Sequence, residues 1–127
     1  MVHEYVVDLT RRCVRVRLSG VLTGAALLST FIDVQWDPRV TEEFCALIDL
    51  RDIRSVDDLR YEEARELATS PHTLARRAFI AHHPAVFGFC RMFATCRELA
   101  AREPVGVFRS VRDAEGWLGL SADTDEA

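Results

Sequence analysis

The side chains best suited to acid–base chemistry are those of His82 and His83, because histidine titrates near neutral pH. They lie at the end of one predicted strand and Asp52 follows another, so a parallel sheet would bring all three to the same edge. Consecutive strand residues point to opposite faces, which keeps the two imidazoles apart. The sequence contains no G-x-S-x-G nucleophile elbow and no glycine-rich phosphate loop. We therefore predict that the protein is not an enzyme.

The cysteines do not have the spacing of a metal site. Cys13, Cys45, Cys90 and Cys96 form no C-x-x-C pair and pair with no histidine as zinc ligands would. Cys90 and Cys96 lie about 120° apart around a helix, so they cannot bind one metal ion from the same face. We predict buried cysteines that act as small apolar side chains, with no metal and no cofactor.

Length and composition describe one globular unit. The chain has 127 residues, of which 49% are hydrophobic and 28% charged. We expect one domain over residues 1–120 and a short, acidic, disordered tail over 121–127. No apolar run reaches the roughly 18 residues of a membrane span, and the start of the chain does not resemble a signal peptide. These features favour a cytoplasmic location.

The charge is acidic overall but uneven along the chain. The net charge is −4, and all 16 basic residues are arginine. Residues 71–112 carry seven arginines against two acidic residues. The overall acidity argues against a nucleic-acid-binding protein. A local basic patch is compatible with an acidic protein partner or a lipid headgroup.

The hydrophobic periodicity predicts the element order ββαβαβαβα. The first two strands, 4–9 and 13–19, form a hairpin, and the apolar run 44–50 is typical of a central strand in a parallel sheet. This order indicates an α/β domain with a mixed, mostly parallel five-stranded sheet and about four helices. The other predicted strands are 77–82 and 104–108, and the predicted helices run from Thr23 to Gln35, 58 to 69, 84 to 102 and Ser110 to Leu118.

Several details of these elements depend on turn and cap residues. Gly20 is expected to end the second strand, and residues 51–56 are expected to form a loop. Asp57 is then the predicted cap of the second helix, which begins at Asp58. The residues expected on the inner side of the first helix are Leu27, Leu28, Phe31 and Ile32.

Five segments, LSGVLTG, LIDLRDI, RRAFIA, VFGFCRMF and VGVFRSVRDAEGWLG, together resemble the SpoIIAA-like branch of the STAS family, the fold of anti-sigma factor antagonists. The resemblance covers residues 4–119. It implies a small cytoplasmic regulator, since some members bind a protein kinase or an anti-sigma factor and others are parts of transporters or stressosomes. For the SpoIIAA-like branch it also implies small apolar ligands and membranes. Catalysis is not implied.

The resemblance also implies that the usual phosphorylation switch is missing. The antagonists carry the phosphorylated serine in an Asp-Ser-Ser/Thr-Gly motif at a helix start, and here Asp58 occupies the serine position after Asp57. A fixed carboxylate there would favour the helix dipole but cannot be cycled like a phosphate. Simple capping by the two aspartates, or phosphorylation of Ser55 after a shift in register, are the alternatives.

The helix predicted over 84–102 has more apolar surface than a core-facing helix needs. Val86, Cys90, Phe93 and Ala100 form its expected inner stripe, and Phe87, Phe89 and Met92 widen it. Arg91, Arg97 and Arg102 add positive charge. Three interpretations follow: packing against the last helix and Trp117, a surface for self-association or a partner, and an apolar pocket or membrane contact.

These observations predict a non-enzymatic regulatory or binding module of STAS-like type that acts through a protein-interaction surface and can dimerise. The alternative is a carrier of a small apolar ligand, or a peripheral membrane protein, that uses the helix 84–102. The expected binding residues are Phe87, Phe89, Arg91, Met92, Asp57 and Asp58.

Overall fold

The computed structural model describes residues 2–120, and the predicted acidic tail, 121–127, lies outside them. Five strands and four helices follow the predicted order. The strands are β1 (Val2–Asp8), β2 (Cys13–Leu22), β3 (Cys45–Val56), β4 (Arg76–Ile80) and β5 (Val105–Phe108). The helices are α1 (Gly24–Gln35), α2 (Tyr61–Ala68), α3 (Pro84–Ala101) and α4 (Val111–Leu118).

The sheet places the strands in chain order, β1-β2-β3-β4-β5. β1 pairs antiparallel with β2, as the predicted hairpin requires, and the other neighbours are parallel. Alternation along β2 buries Val14, Val16 and Leu18 while Arg17 stays exposed, as their spacing predicted. The fold class inferred from periodicity is confirmed.

The helices cover the two faces of the sheet unequally. The larger core joins one face to α1, α2 and α3 and includes Leu27, Leu67 and Phe93. The smaller core joins the other face to α4 through Ala114. An ion pair of 2.9 Å between Arg15 and Glu115 ties α4 to β2 on that second face.

Three of the four cysteines, Cys13, Cys45 and Cys90, are buried as expected, and Cys96 is half-buried. Cys13 and Cys45 face each other in neighbouring strands and belong to the smaller core, whereas Cys90 belongs to the larger one. They fill space as small apolar side chains.

The two long central strands extend beyond their predicted ends. β2 continues through Gly20 to Leu22, because Gly20 adopts a φ of 91° at a shift in the β2–β3 register. The segment predicted as a loop, 51–56, is the second half of β3, since the continuation of β2 supplies its hydrogen-bonding partner. The prediction that Gly20 ends the second strand was therefore wrong.

The predicted start of the second helix was also wrong. The Asp57 N–H still donates to the Leu22 carbonyl at 2.9 Å, so this residue continues the strand pairing instead of capping a helix. Asp58 has a φ of 52° and pairs with Arg60. The helix begins at Tyr61, where the Glu63 carboxylate accepts the Arg60 N–H at 2.8 Å.

Two helices differ from the predicted burial. Thr23 caps α1 as expected, but Leu28 and Ile32 are 38% and 44% exposed, because only Leu27 and its neighbours one turn away reach the sheet. On α3, Val86, Cys90 and Phe93 are buried as predicted. Ala100, expected in the same stripe, is exposed because it lies near the end of the helix, past the core.

The Phe93 side chain is the centre of the larger core, where its ring meets Phe31 and Phe79 edge-on at 5.7 and 5.5 Å. We expect Phe93→Ala to lower the free energy of unfolding by about 3–5 kcal/mol through lost burial and the cavity left behind. Leu99→Ala, at an 82% exposed site of the same helix, is the control and should change it by no more than about 0.5 kcal/mol. Urea denaturation of both variants measures this, and equal losses would contradict the assignment.

Candidate functional site

The edge of the sheet that carries His82 and His83 does not form an acid–base site. The His82 ring lies 2.8 Å from the Arg109 carbonyl oxygen, and the His83 ring accepts the Ala85 N–H at 3.1 Å as the cap of α3. Asp52 pairs with Arg17 at 2.6 Å. Each group thus has its own structural partner, and the three are not brought together.

The predicted binding residues of α3 lie in different environments. Phe89 is only 6% exposed and belongs to the larger core, which removes it from any surface in this structure. Phe87 and Met92 are half-buried against the same core, and the Arg109 guanidinium covers the Phe87 ring at 4.0 Å. Arg91 is exposed. The extra apolar width of α3 is therefore mostly core.

That core does not involve Trp117, which the sequence interpretation had paired with α3. Trp117 packs against Phe108 at 5.6 Å with the smaller core, on the other face of the sheet. The space beside Phe89 and Cys90 has a volume of about 10 Å³. This holds one water at most, so no ligand pocket exists there.

Asp57 and Asp58 are both exposed, at the turn between β3 and α2. They do not cap a helix, and Asp58 binds the Arg60 side chain at 2.7 Å. Ser55 is exposed on β3, opposite Val21 of β2. None of these three lies at a helix start.

A cavity of about 370 Å³ lies elsewhere, between α1, the helix-covered face of the sheet and the segment 69–75 that joins α2 to β4. Its walls are mainly aliphatic and aromatic side chains. Polar groups from the segment and two arginines, Arg77 and Arg97, complete it. The apolar wall consists of Val16, Phe31, Val34, Val40, Ala46, Ile48, Leu67 and Leu74.

Arg97 fixes the segment that closes this cavity. Its side chain is 1% exposed, and its Nη1 donates to the Ala68 and Ser70 carbonyls at 3.0 and 2.6 Å. Nη2 donates to the His72 carbonyl and to Glu103. These carbonyls follow the end of α2, where backbone acceptors lose their helical partners and a cation is favourable. One arginine thereby holds three peptide groups in place.

Glu103 connects this arrangement to the sheet. Its carboxylate accepts two hydrogen bonds from Arg77, at 2.7 and 3.2 Å, one from Arg97 at 3.1 Å and the Leu74 N–H at 2.8 Å. Burial opposes ionisation of this carboxyl, but the charge and hydrogen bonds of Arg77, with those of Leu74 and Arg97, outweigh it and hold the pKa of Glu103 below its usual value. Glu103 is therefore a buried carboxylate between two guanidinium groups.

Arg77 lines the cavity with part of its guanidinium not hydrogen-bonded to the described chain. Its guanidinium lies over the Phe31 ring at 5.0 Å and is bound to Glu103 through Nε and Nη2. Within residues 2–120, Nη1 of Arg77 has no hydrogen-bond partner. The two arginines and one carboxylate leave a single net positive charge beside the cavity.

The rim of the cavity is formed by the end of α1 and by the closing segment. The Ser70 hydroxyl donates to the Gln35 side-chain carbonyl at 3.3 Å, and the Trp36 and His72 rings lie 5.7 Å apart. Trp36 is 69% exposed. Glu42 lines the rim from the exposed turn before β3. These contacts connect the end of α1 to the segment 69–75 at the opening of the cavity.

Arg97 was not predicted to be buried, although its position along α3 indicated burial. It follows Val86, Cys90 and Phe93 at spacings of four, three and four residues, which continues the buried stripe of α3. Of the three arginines expected to give this helix positive charge, Arg97 is buried, because Glu103 and the carbonyls at and after the end of α2 satisfy its charge and its Nη groups inside the protein. Glu103 and Arg77 carried no comparable signal.

Two further findings concern the described part of the chain alone. Within residues 2–120, no group of three or more His, Cys, Asp and Glu side chains is placed to hold a metal ion. Over the same range, no helix has the length and apolarity required to cross a membrane.

The Glu103 carboxylate gives the fold a defined dependence on pH. Because its pKa is lower in the folded state, it stabilises the protein above the ordinary value of 4.5, and this contribution is lost as the pH falls below it. We expect Glu103→Gln to cost about 3–5 kcal/mol at pH 7 by leaving buried guanidinium groups without a counter-ion. The difference from the unmodified protein should shrink between pH 5 and pH 3, and chemical denaturation at each pH measures it. A difference independent of pH would contradict this role.

Comparisons with known proteins bear on the fold. No protein-family model matches the sequence, and no curated protein matches it significantly. Among solved structures, it is similar to the crystal structure of an uncharacterized DUF3478-family protein with a SpoIIAA-like fold from Shewanella loihica PV-4. The identity is 16% and the TM-score 0.58, over 91% of this chain and 93% of that one. The resemblance inferred from the sequence segments is therefore confirmed at the level of architecture, and this chain adopts a SpoIIAA-like α/β fold.

Proposed function

We propose that this chain is a non-enzymatic, STAS-type regulatory module that works in the cytoplasm and binds a small, largely apolar molecule in the cavity between α1, the sheet and the segment 69–75. The observation that carries the proposal is the cavity itself. Its volume of about 370 Å³ falls within the range of small-molecule sites, roughly 300–1,000 Å³. Such sites also combine an apolar wall with a few polar groups, as this one does.

The position of the cavity differs from the one that the sequence suggested for an apolar ligand. Of the predicted ligand-binding helix, 84–102, Arg97 alone lines the cavity, and the other lining residues come from α1, the end of α2, the turn 40–42, the sheet and the segment 69–75. A bound molecule would touch α1 and the closing segment together. A bound molecule would favour the arrangement of α1 and the segment 69–75 that it binds best. Binding inside the protein could in this way change the surface at the rim.

The test uses the neutral fluorescent probe N-phenyl-1-naphthylamine, whose emission increases in an apolar site. We expect saturable binding of one probe per chain. Val34→Phe should weaken this binding by at least about tenfold, because the larger side chain occupies the cavity. Leu99→Phe, which adds the same ring at an exposed site of α3, is the matched control. Absence of saturable binding, or equal binding by both variants, would refute the proposal.

A second candidate function is self-association through α1, favoured by one observation. Leu28, Ile32 and Trp36 follow one another at four-residue spacing, and all three are exposed. A second copy of the same helix, related by a twofold axis, would cover this stripe with an identical one. The one acidic residue of α1 (Gly24–Gln35), Asp33, lies 3.2 Å from the His3 ring, and this helix contains no arginine. A protein surface is therefore a better partner for the stripe than anionic lipid.

The interaction surface predicted from the sequence stays a proposal beside this one, reduced to Phe87, Arg91 and Met92 on α3 with Asp57 and Asp58. Sedimentation velocity separates the two surfaces. We expect the unmodified chain to dimerise and Ile32→Asp to give a monomer, with Arg91→Ala leaving the dimer intact. Loss of the dimer in Arg91→Ala alone would favour the α3 surface, and a monomeric unmodified chain would exclude self-association.

A further inference from the structure

The polar end of the cavity has the geometry to select the chemistry of its ligand. We propose that the bound molecule is an apolar monocarboxylate and that its carboxylate pairs with the free end of the Arg77 guanidinium. This inference rests on the proposed function, since it names the ligand class of the same site. It depends on the hydrogen bonds of two arginines, on their charge balance and on the shape of the remaining wall.

A guanidinium group offers a carboxylate two pairs of N–H donors, one along its side and one across its end. Glu103 takes the side pair of Arg77, with Nε at 2.7 Å and Nη2 at 3.2 Å. The end pair, formed by Nη1 and the second N–H of Nη2, is not used by any residue of the described chain. Arg77 also lines the cavity. A planar carboxylate entering the cavity matches this pair of donors.

Arg97 cannot perform this recognition, although it also lines the cavity. Both of its Nη atoms are fully used by three backbone carbonyls and Glu103. Its remaining donor, Nε, is enclosed by protein and has no partner within residues 2–120. Arg97 therefore shapes the site, and Arg77 is the group that a ligand can meet.

The charge balance favours a ligand with a single negative charge. Arg77 is mostly buried, and Arg97 and Glu103 are almost completely so, which leaves one positive charge uncompensated in a region of low polarity. A monocarboxylate would neutralise this positive charge, whereas a neutral molecule would leave it uncompensated. A cationic ligand would add a second positive charge beside it. Glu42 opposes an anion only from the exposed rim, where solvent screens its charge.

The rest of the cavity fits an apolar chain or ring. The Arg77 guanidinium, which is planar by resonance, lies over the Phe31 ring at 5.0 Å, and this contact helps to hold its orientation. Val16, Ile48 and Leu67 provide aliphatic wall beyond it and no further charge. The volume is close to the lower limit for small-molecule sites, which suits a single short chain and excludes a two-chain phospholipid.

The first experiment uses the unmodified full chain and three ligands of equal length: decanoate, decan-1-ol and decylamine, each below its micelle concentration. Displacement of N-phenyl-1-naphthylamine at pH 7.5 gives their relative affinities. We expect decanoate to bind at least about tenfold more tightly than decan-1-ol, and decylamine to bind most weakly. Equal affinities for decanoate and decan-1-ol, or a preference for the amine, would overturn the inference.

The second experiment assigns the preference to Arg77. Arg77→Gln should reduce the ratio of decanoate to decan-1-ol affinity to about one, because the paired donors that distinguish the carboxylate are removed. The control is Arg76→Gln, because Arg76 lies next along β4 but faces the opposite side of the sheet, with its Nη1 donating to the Trp117 carbonyl. If Arg77→Gln does not fold, Arg77→Lys keeps a cation beside Glu103 without the paired donors, and it should lower the ratio. A ratio that neither variant changes overturns the inference.

The outcomes separate this inference from the proposed function. If the naphthylamine probe does not bind the unmodified chain, the proposed function fails and the ligand class fails with it. If the probe binds and Val34→Phe blocks it, but decanoate has no advantage over decan-1-ol, the cavity is a ligand site and only the carboxylate assignment is wrong.

Discussion

A positive charge inside a protein needs partners, and both Nη groups of Arg97 find them in Glu103 and in peptide carbonyls at and after the end of α2. The end of α2, the segment 69–75 and Glu103, two residues after α3, converge on this one side chain. Glu103 then carries the connection to β4 through Arg77. Because breaking a buried ion pair leaves an uncompensated charge, this network is the constraint that sets where the closing segment lies. The segment held in this way forms one wall of the cavity, with α1 and the sheet as the others.

The two faces of the sheet differ in how much apolar surface the helices bury on them. Three helices cover the face of Val14, Val16 and Leu18 with a large core, so that this face has room for both tight packing at Phe93 and an open cavity toward α1. Within residues 2–120, α4 is the helix that packs on the other face, and the part it leaves open carries charged side chains such as Arg17 and Asp49. A site for an apolar molecule can therefore form on the helix-covered face, where the molecule would contact apolar side chains and be removed from water.

Hydrophobic spacing was sufficient to predict the nine elements and their order, because each element needs one apolar face whatever it packs against. It failed where a contact with a distant strand decides the outcome. Residues 51–56 look like a loop by composition and become strand only because β2 continues beside them, and that pairing takes Asp57 away from its expected cap. The cavity was beyond the reach of the sequence for a similar reason: charged residues are ordinarily solvated, and only the assembled fold shows Arg77 and Arg97 sharing Glu103.

The ion pair between Arg15 and Glu115 joins residues that are 100 positions apart, whereas the contacts of Arg97 with the carbonyls after α2 and with Glu103 span 6 to 29. Closing a longer loop costs more chain entropy before its contacts repay it. The contacts that fix the closing segment therefore cost less loop-closure entropy than the ion pair that ties α4 to β2. The other main contacts of α4, with β3, β4 and β5, lie nearer in the chain, so this ion pair is the long-range link of that helix.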